Sequence, residues 1–308
     1  MNCILCNSSK ITVVEKIKSP KLIDMYQKTF NQDVSYIFEG KNIINYTICD
    51  NCRLNYFEPE CAGDEKFYSH LQKYDWYYRS EKEEYDIAAS YIKDGDKVLE
   101  VGAGFGAFTK YIGKVDYTGL EFSEDAIEMA KEKDITLIND YIENYANEHE
   151  NMFDIVCHFQ VLEHVTHPGK FLEACVKSLK KGGKLIFAVP SNKSFLNISP
   201  NHALDCPPHH MSRWPDSTLE YIPSFLDVKQ ISIIHPKIET IHHISYAKAV
   251  WHKRLASLLN FKNKLVIQNK LYKALGIPAG ILANITYKGM IKKDNPISIS
   301  VIAVYEKL

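Results

Sequence analysis

The sequence predicts an α/β protein: one mainly parallel sheet, preceded by a small cysteine-bearing module and interrupted late by a helical insertion. Three observations carry this. Residues 96–190 alternate short apolar runs with segments of helical period, the pattern of a parallel sheet covered on both faces. Val98 to Thr109 (V-L-E-V-G-A-G-F-G-A-F-T) runs from a strand through three glycines toward a helix. Two C-x-x-C pairs, Cys3/Cys6 and Cys49/Cys52, stand apart at the N-terminal end. The chain divides into a module at 1–60, a helical linker at 61–95, the α/β core at 96–235, an insertion at 236–295 and a last strand at 296–308.

The composition bounds the reading. With 308 residues, 45% of them apolar, the chain suffices for one large domain or two smaller ones. A net charge of −1 argues against a nucleic-acid partner, which usually meets a basic excess. No apolar run reaches the length of a membrane span, and the N-terminus lacks a signal-peptide pattern. These features set the expectation of a cytoplasmic protein with reduced thiols.

Taken in order, the module comes first. Two C-x-x-C knuckles place four thiolates on one ion, so Cys3, Cys6, Cys49 and Cys52 are read as a structural, tetrahedral zinc site with no open position. Ile37 to Ile48 is read as a hairpin returning the chain to the first knuckle. The linker recurs at helical spacing, and the family resemblance given below implies that Tyr77, Tyr78 and Arg79 would line the cofactor or substrate pocket. Lys97–Val101 is the first core strand, with Phe108–Ile112 suited to the following helix. Strands at 115–121, 135–140, 153–159 and 184–190 follow. Leu226–Ile234 and Pro296–Tyr305 are strands six and seven. Ile244–Leu259 and Lys264–Leu275 are read as helices of the insertion.

The glycine stretch separates two kinds of ligand. A dinucleotide fingerprint is G-x-G-x-x-G, with pyrophosphate on the helix N-terminus. Here the spacing is E-x-G-x-G-x-G, and Glu100 at the strand end suits an ammonium and repels a pyrophosphate. This stretch resembles motif I of the class I S-adenosylmethionine (SAM) methyltransferases. Gln160-Val-Leu-Glu-His-Val resembles the VLEHV signature of small-molecule and quinone methyltransferases, and Leu179-Lys-Lys-Gly-Gly-Lys-Leu a second pattern widespread in that family. The resemblance covers about residues 80–235.

The resemblance implies a Rossmann-like seven-stranded fold, its last strand inserted antiparallel, and SAM as cofactor. Glu100, Gly102, Gly104 and Gly106 would hold the methionine end. Glu121, with Phe122 beside it, would take the ribose, and Asp140 and Tyr141 the adenine. Phe159 and Gln160 would lie at the carboxyl end of the fourth strand. Pro207-Pro-His-His-Met-Ser-Arg-Trp resembles a segment of some sugar and metabolite methyltransferases. His209, His210 and His164 are therefore base candidates, and Arg213 a candidate for a substrate phosphate or carboxylate. The acceptor implied is a small molecule: a sugar, nucleotide-sugar or surface-glycan precursor. A quinone or metabolite O-methyltransferase and a zinc-bearing ribosomal-RNA methyltransferase are the alternatives within the family. A nicotinamide oxidoreductase and a non-catalytic binding protein on a methyltransferase scaffold are the further alternatives. The basic 236–295 insertion is read as a lid or as a homodimer contact.

Overall fold

The computed structural model describes residues 2–74, 77 and 79–308. Two sheets share the chain. The small antiparallel sheet has β1 (Ile11–Lys18), β2 (Ile43–Cys49) and β3 (Asn55–Glu58) side by side. Helix α1 (Ser19–Phe30) crosses between β1 and β2; Pro20 fits its first turn, where a missing N–H costs nothing, and Asn31 closes it at φ 49°. Residues 37–48 form no hairpin. The hairpin is β2–β3, with the second knuckle at its turn, because β2 needs its other edge for β1.

The linker holds α2 (Glu65–Leu71), capped by the Asp64 carboxylate accepting from Phe67 N–H at 2.9 Å, and α3 (Glu83–Ala89). Tyr78 lies outside the described residues. The core then lays down β4 (Lys97–Val101), β5 (Asp116–Leu120), α4 (Glu124–Lys131), β6 (Leu137–Ile138), α5 (Ile142–Glu148), β7 (Phe153–Phe159), α6 (Pro168–Ser178) and β8 (Leu179–Pro190). After it come β9 (Ser212–Arg213), α7 (Asp216–Leu219), β10 (Val228–Ile234), the insertion helices α8 (His243–Leu258), α9 (Lys270–Ala274) and α10 (Gly276–Asp294), and β11 (Ser300–Lys307).

The large sheet runs β10-β11-β8-β7-β4-β5-β6. β8, β7, β4, β5 and the edge strand β6 are parallel, and β11 pairs antiparallel with both β8 and β10. This is the seven-stranded Rossmann-like arrangement of the methyltransferase fold, with the helical insertion between its last two strands. β7 is buried at six of seven positions, as befits a strand covered on both faces.

Four local expectations change. The helix after the glycines is a single 3-10 turn, Ala107–Lys110, because the chain must re-enter β5 by Asp116. The third strand shrinks to Leu137–Ile138. β8 begins at Leu179, since the Lys-Lys-Gly-Gly segment continues the strand. α10 was not foreseen: its Gly276, Gly280 and Gly289 lower helix propensity, yet Pro278 sits in the first turn where it is tolerated.

The module and the core are not separate bodies. Cys3, Leu5, Leu54 and Tyr56 share one buried cluster with Leu172, Trp214 and Tyr305. β9, from the loop after β8, completes the small sheet by pairing with β3. Tyr26 of α1 donates its hydroxyl to the carbonyls of Ala203 and Cys206, at 2.7 and 2.9 Å.

Candidate functional site

The glycine loop closes over the carboxyl ends of β4 and β5. Gly102, Gly104 and Gly106 adopt φ of 72°, 55° and 76°, the left-handed region that favours glycine. Space forbids a side chain at two of them: a Cβ on Gly102 would stand 2.6 Å from Val161 Cγ2, and one on Gly106 would stand 2.8 Å from Ile135 Cδ1. The loop backbone is thereby left bare. Glu121, one residue beyond β5, ties it down. Its Oε2 accepts from Gly104 N–H at 2.7 Å, while Oε1 accepts from the N–H groups of Phe122 and Ser123 at 2.8 Å each.

Beside Glu121, Phe122 and Tyr141 expose their rings to solvent, 48% and 53% accessible, with centroids 5.1 Å apart. Asp140 accepts from Tyr141 N–H at 2.8 Å and Asn144 Nδ2 at 3.2 Å, shaping the turn that carries Tyr141. An exposed aromatic pair next to a strand-end carboxylate suits a flat heterocycle joined to a diol.

The remaining cofactor candidates lie deeper. Glu100 is 2% exposed and receives the Tyr117 hydroxyl at 2.6 Å. Burial pushes its carboxyl up to about 8, against the opposing pull of the Tyr117 bond and Lys82. Phe159 packs in the core, 4.9 Å from the ring centres of both Tyr85 and Phe108. Gln160 takes φ 58°, and its amide donates to Ser300 Oγ at 3.1 Å. Tyr117 had no sequence signal; only its cross-strand position opposite β4 reveals it.

A second constellation sits just beyond β7. The backbone carbonyl of Glu163 accepts from Met211 and Ser212 N–H at 2.8 and 3.1 Å, bringing the histidine loop to the strand exit. His164, His209 and His210 thus meet, with one ligand atom of each within 4.8 Å of the others. His164 Nδ1 donates to the His209 carbonyl at 2.6 Å, and His209 Nδ1 to the Leu204 carbonyl at 2.8 Å. His210 Nδ1 faces Asp205 Oδ1 at 3.3 Å. Burial lowers the His164 imidazole to about 3 and His209 well below the usual histidine range, so both stay neutral at pH 7. Tyr68, which donates to the His209 carbonyl at 3.4 Å, and Asp205 join this group without having been read from sequence.

Arg213 does not face a substrate. It is 6% exposed and bound to Asp205, whose burial alone would raise the carboxyl but whose guanidinium partner holds it below the usual range. Arg79 is half-exposed and paired with Glu239 at 2.7 Å, joining the linker to the insertion. The Tyr77 ring lies 6.1 Å from that of His209.

The four module cysteines converge as their spacing requires. Cys3 Sγ is 3.5 Å from Cys52 Sγ, and Cys6 Sγ is 3.6 Å from Cys49 Sγ. A tetrahedral zinc with bonds of about 2.3 Å spaces its sulfurs by about 3.8 Å. Backbone N–H groups of Leu5 and Cys52 point at the sulfurs of Cys3 and Cys49, each at 3.5 Å. The donor set and its spacing fit one zinc-class ion; all eight cysteines are free of disulfides.

Known proteins extend this description. Residues 75–224 match a family model described as a methyltransferase domain. A ubiquinone biosynthesis O-methyltransferase of Proteus mirabilis is 33% identical over 102 residues, 30% of this chain and 42% of that protein. The enzyme of that name from Pectobacterium atrosepticum is 28% identical over 148 residues, 40% of this chain and 61% of its own length. The chain thus spans roughly two fifths to three fifths of these curated relatives. Among solved structures, a SAM-dependent methyltransferase from Archaeoglobus fulgidus aligns over 80% of this chain and 95% of its own, with TM-score 0.48 and 16% identity. The stretch that carries the glycine loop, the strand-end acids and the histidine loop is the stretch that matches the methyltransferase-domain model.

Proposed function

We propose that this chain is a SAM-dependent methyltransferase acting on a small molecule. One observation carries the reading: the Glu121 carboxylate, held by three backbone N–H groups, joins the side-chain-free glycine loop to the exposed Phe122–Tyr141 pair. Glu121 would accept the ribose hydroxyls, Phe122 and Tyr141 would pack on adenine with Asp140 at its edge, and the loop with Glu100 would receive the methionine end. SAM brings a methyl group already activated by its sulfonium. The protein's part is to align the acceptor with that methyl and exclude water. His164, His209 and His210, gathered at the exit of β7, are the groups at hand for the acceptor's proton.

The acceptor follows two lines. The names of the relatives support a quinone or related metabolite hydroxyl. The proline–histidine loop and the cysteine module support a sugar, nucleotide-sugar or glycan precursor. We favour oxygen as the methylated atom, since the relatives are O-methyltransferases by name. The reading includes a structural zinc on Cys3, Cys6, Cys49 and Cys52 and a cytoplasmic setting, supported by the free thiols. It also includes a homodimer through the insertion, where α10 leaves Ile277, Ile281 and Ile285 exposed on one stripe. Size-exclusion chromatography with light scattering of Ile281→Glu tests that contact. Calorimetric titration with SAM and separately with NAD tests the central claim: SAM is expected to bind and NAD not. Binding of NAD alone would overturn it.

A further inference from the structure

The insertion carries charge of one sign. From Thr240 to Lys293 the sequence holds nine lysines, one arginine and no aspartate or glutamate, in a chain whose net charge is −1. Six of these cations, Lys253, Arg254, Lys262, Lys264, Lys270 and Lys273, are exposed. None of the six makes an ion pair among the described residues. α8 and α10 run antiparallel, with the Tyr246 hydroxyl donating to Asp294 and Trp251 Nε1 to Thr286 Oγ1, each at 2.8 Å. The six cations therefore gather at the end of this hairpin remote from β10 and β11. There Tyr272 of α9 packs with Ala256, its ring centre 5.3 Å from that of Phe261.

Leucines stand among these cations. Leu258 is 79% exposed, Leu271 55% and Leu259 48%. One exposed leucine needs no explanation, whereas three among six unpaired cations mark a surface that meets something. The same end of the insertion is also held still. Leu265 N–H donates to Glu15 Oε2 at 2.8 Å, and the Asn201 amide brackets Ile267 with bonds of 3.0 and 2.8 Å. Val266, between them, is buried in the core of the cysteine module. Little ordering is left for a partner to impose.

Cations with apolar side chains between them complement a surface that is anionic and apolar at once. We propose that this end of the insertion docks on a membrane surface of anionic phospholipid, its cations against the headgroups and Leu258, Leu259 and Leu271 at the acyl boundary. Nucleic acid would use the charge but not the leucines. A second copy of this chain would set like charges against like. The run from Gly276 to Tyr287 carries no charge and is a separate surface, the one left to the self-contact. Docking is peripheral, since no described helix is long and apolar enough to cross a membrane. Asn201 belongs to the loop that carries His209 and His210, so docking brings that loop near the lipid. Any use of that nearness for an acceptor rests on the methyltransferase reading; the docking does not.

The test is flotation of the full chain with phosphatidylcholine vesicles, with and without phosphatidylglycerol, at low and high salt. Binding is expected only with phosphatidylglycerol present, and it should weaken as salt rises. Lys270→Glu/Lys273→Glu should weaken it by at least about tenfold. Leu258→Ser/Leu271→Ser should weaken it by at least about fivefold, through lost apolar insertion. Lys262→Gln/Lys264→Gln repeats the charge test on the connector, where no helix is altered. Circular dichroism confirms the fold of each variant. A parent chain that ignores anionic vesicles, or binds neutral ones equally well, overturns the proposal whatever the variants do. So does a folded leucine variant that binds as the parent does, which would leave the cations to a nucleic acid. A shift of that variant to a smaller oligomer with vesicle binding unchanged would assign the leucines to a second copy and overturn it too. SAM titration of the same samples reports separately on the cofactor reading.

Discussion

Replacing Glu121 by alanine gives the sharpest test of the cofactor site. In the free protein its carboxylate accepts three backbone N–H bonds, of which the 2.7 Å bond from Gly104 reaches across to the glycine loop. The site is half-exposed, so water replaces much of what is lost, and about 1 kcal/mol of stability should go, or roughly 3 °C in Tm. SAM loses more. Two hydrogen bonds from ribose hydroxyls to a carboxylate contribute about 1.5 kcal/mol each at the low end, about 3 kcal/mol together. At 1.4 kcal/mol per decade this weakens binding roughly a hundredfold. Glu121→Gln keeps one acceptor oxygen and should lose about tenfold. The assay is calorimetric titration of each variant with SAM, with circular dichroism to confirm the fold. A Glu121→Ala protein that folds and binds SAM within threefold of the parent refutes the assignment.

Other outcomes follow from the same geometry. Gly102→Ala combines a left-handed φ of 72° with a Cβ 2.6 Å from Val161 Cγ2. Together these should cost roughly 2–4 kcal/mol in urea unfolding, and Val161→Ala on top should recover the steric part but not the backbone part. Glu100, raised to about 8 by burial, binds its proton more tightly in the folded state than in the unfolded one. SAM-free stability should therefore fall as pH rises from about 4.5 to about 8 and level off above, by at most about 1.4 kcal/mol per unit. Glu100→Gln should reduce that slope in urea titrations at several pH values by its own share, because burial raises the Glu163 carboxyl to about 8 as well. Removing metal from the cysteine module with a chelator should lower the melting midpoint by on the order of 10 °C, given the several kcal/mol a structural zinc contributes. The loss should be one cooperative transition, because Leu54 and Tyr56 share a core with Trp214. A separate early transition would show the module to be independent.

Much of this architecture is legible in the sequence because parallel strands buried on both faces must be nearly continuous apolar runs. Phe153–Phe159 and Lys184–Pro190 announce themselves in that way. The glycines at 102, 104 and 106 were equally plain, since only glycine suits three left-handed residues in five. Legibility failed where a segment's fate depends on distant partners. Ser212–Arg213 reads as loop, and becomes a strand only because β3 offers an edge. Arg213 looks like a substrate cation until Asp205, eight residues earlier, is found against it. Glu100 was read at a ligand-facing strand end; Tyr117, on the neighbouring strand, takes one of its oxygens. α10 was hidden by glycines whose cost is offset by Ala279, Ala283 and Met290 packing.

The short pairing of β9 with β3 bears on how such a protein can be re-engineered. The histidine loop hangs from the small sheet through that pairing and through the Tyr26 hydroxyl, which holds Ala203 and Cys206. A chimera that grafts the loop of one homologue onto another without its first sixty residues would leave the graft without its jig. On the proposed reading of that loop, acceptor preference is an inheritance of two distant stretches of chain, and a transplant must carry both.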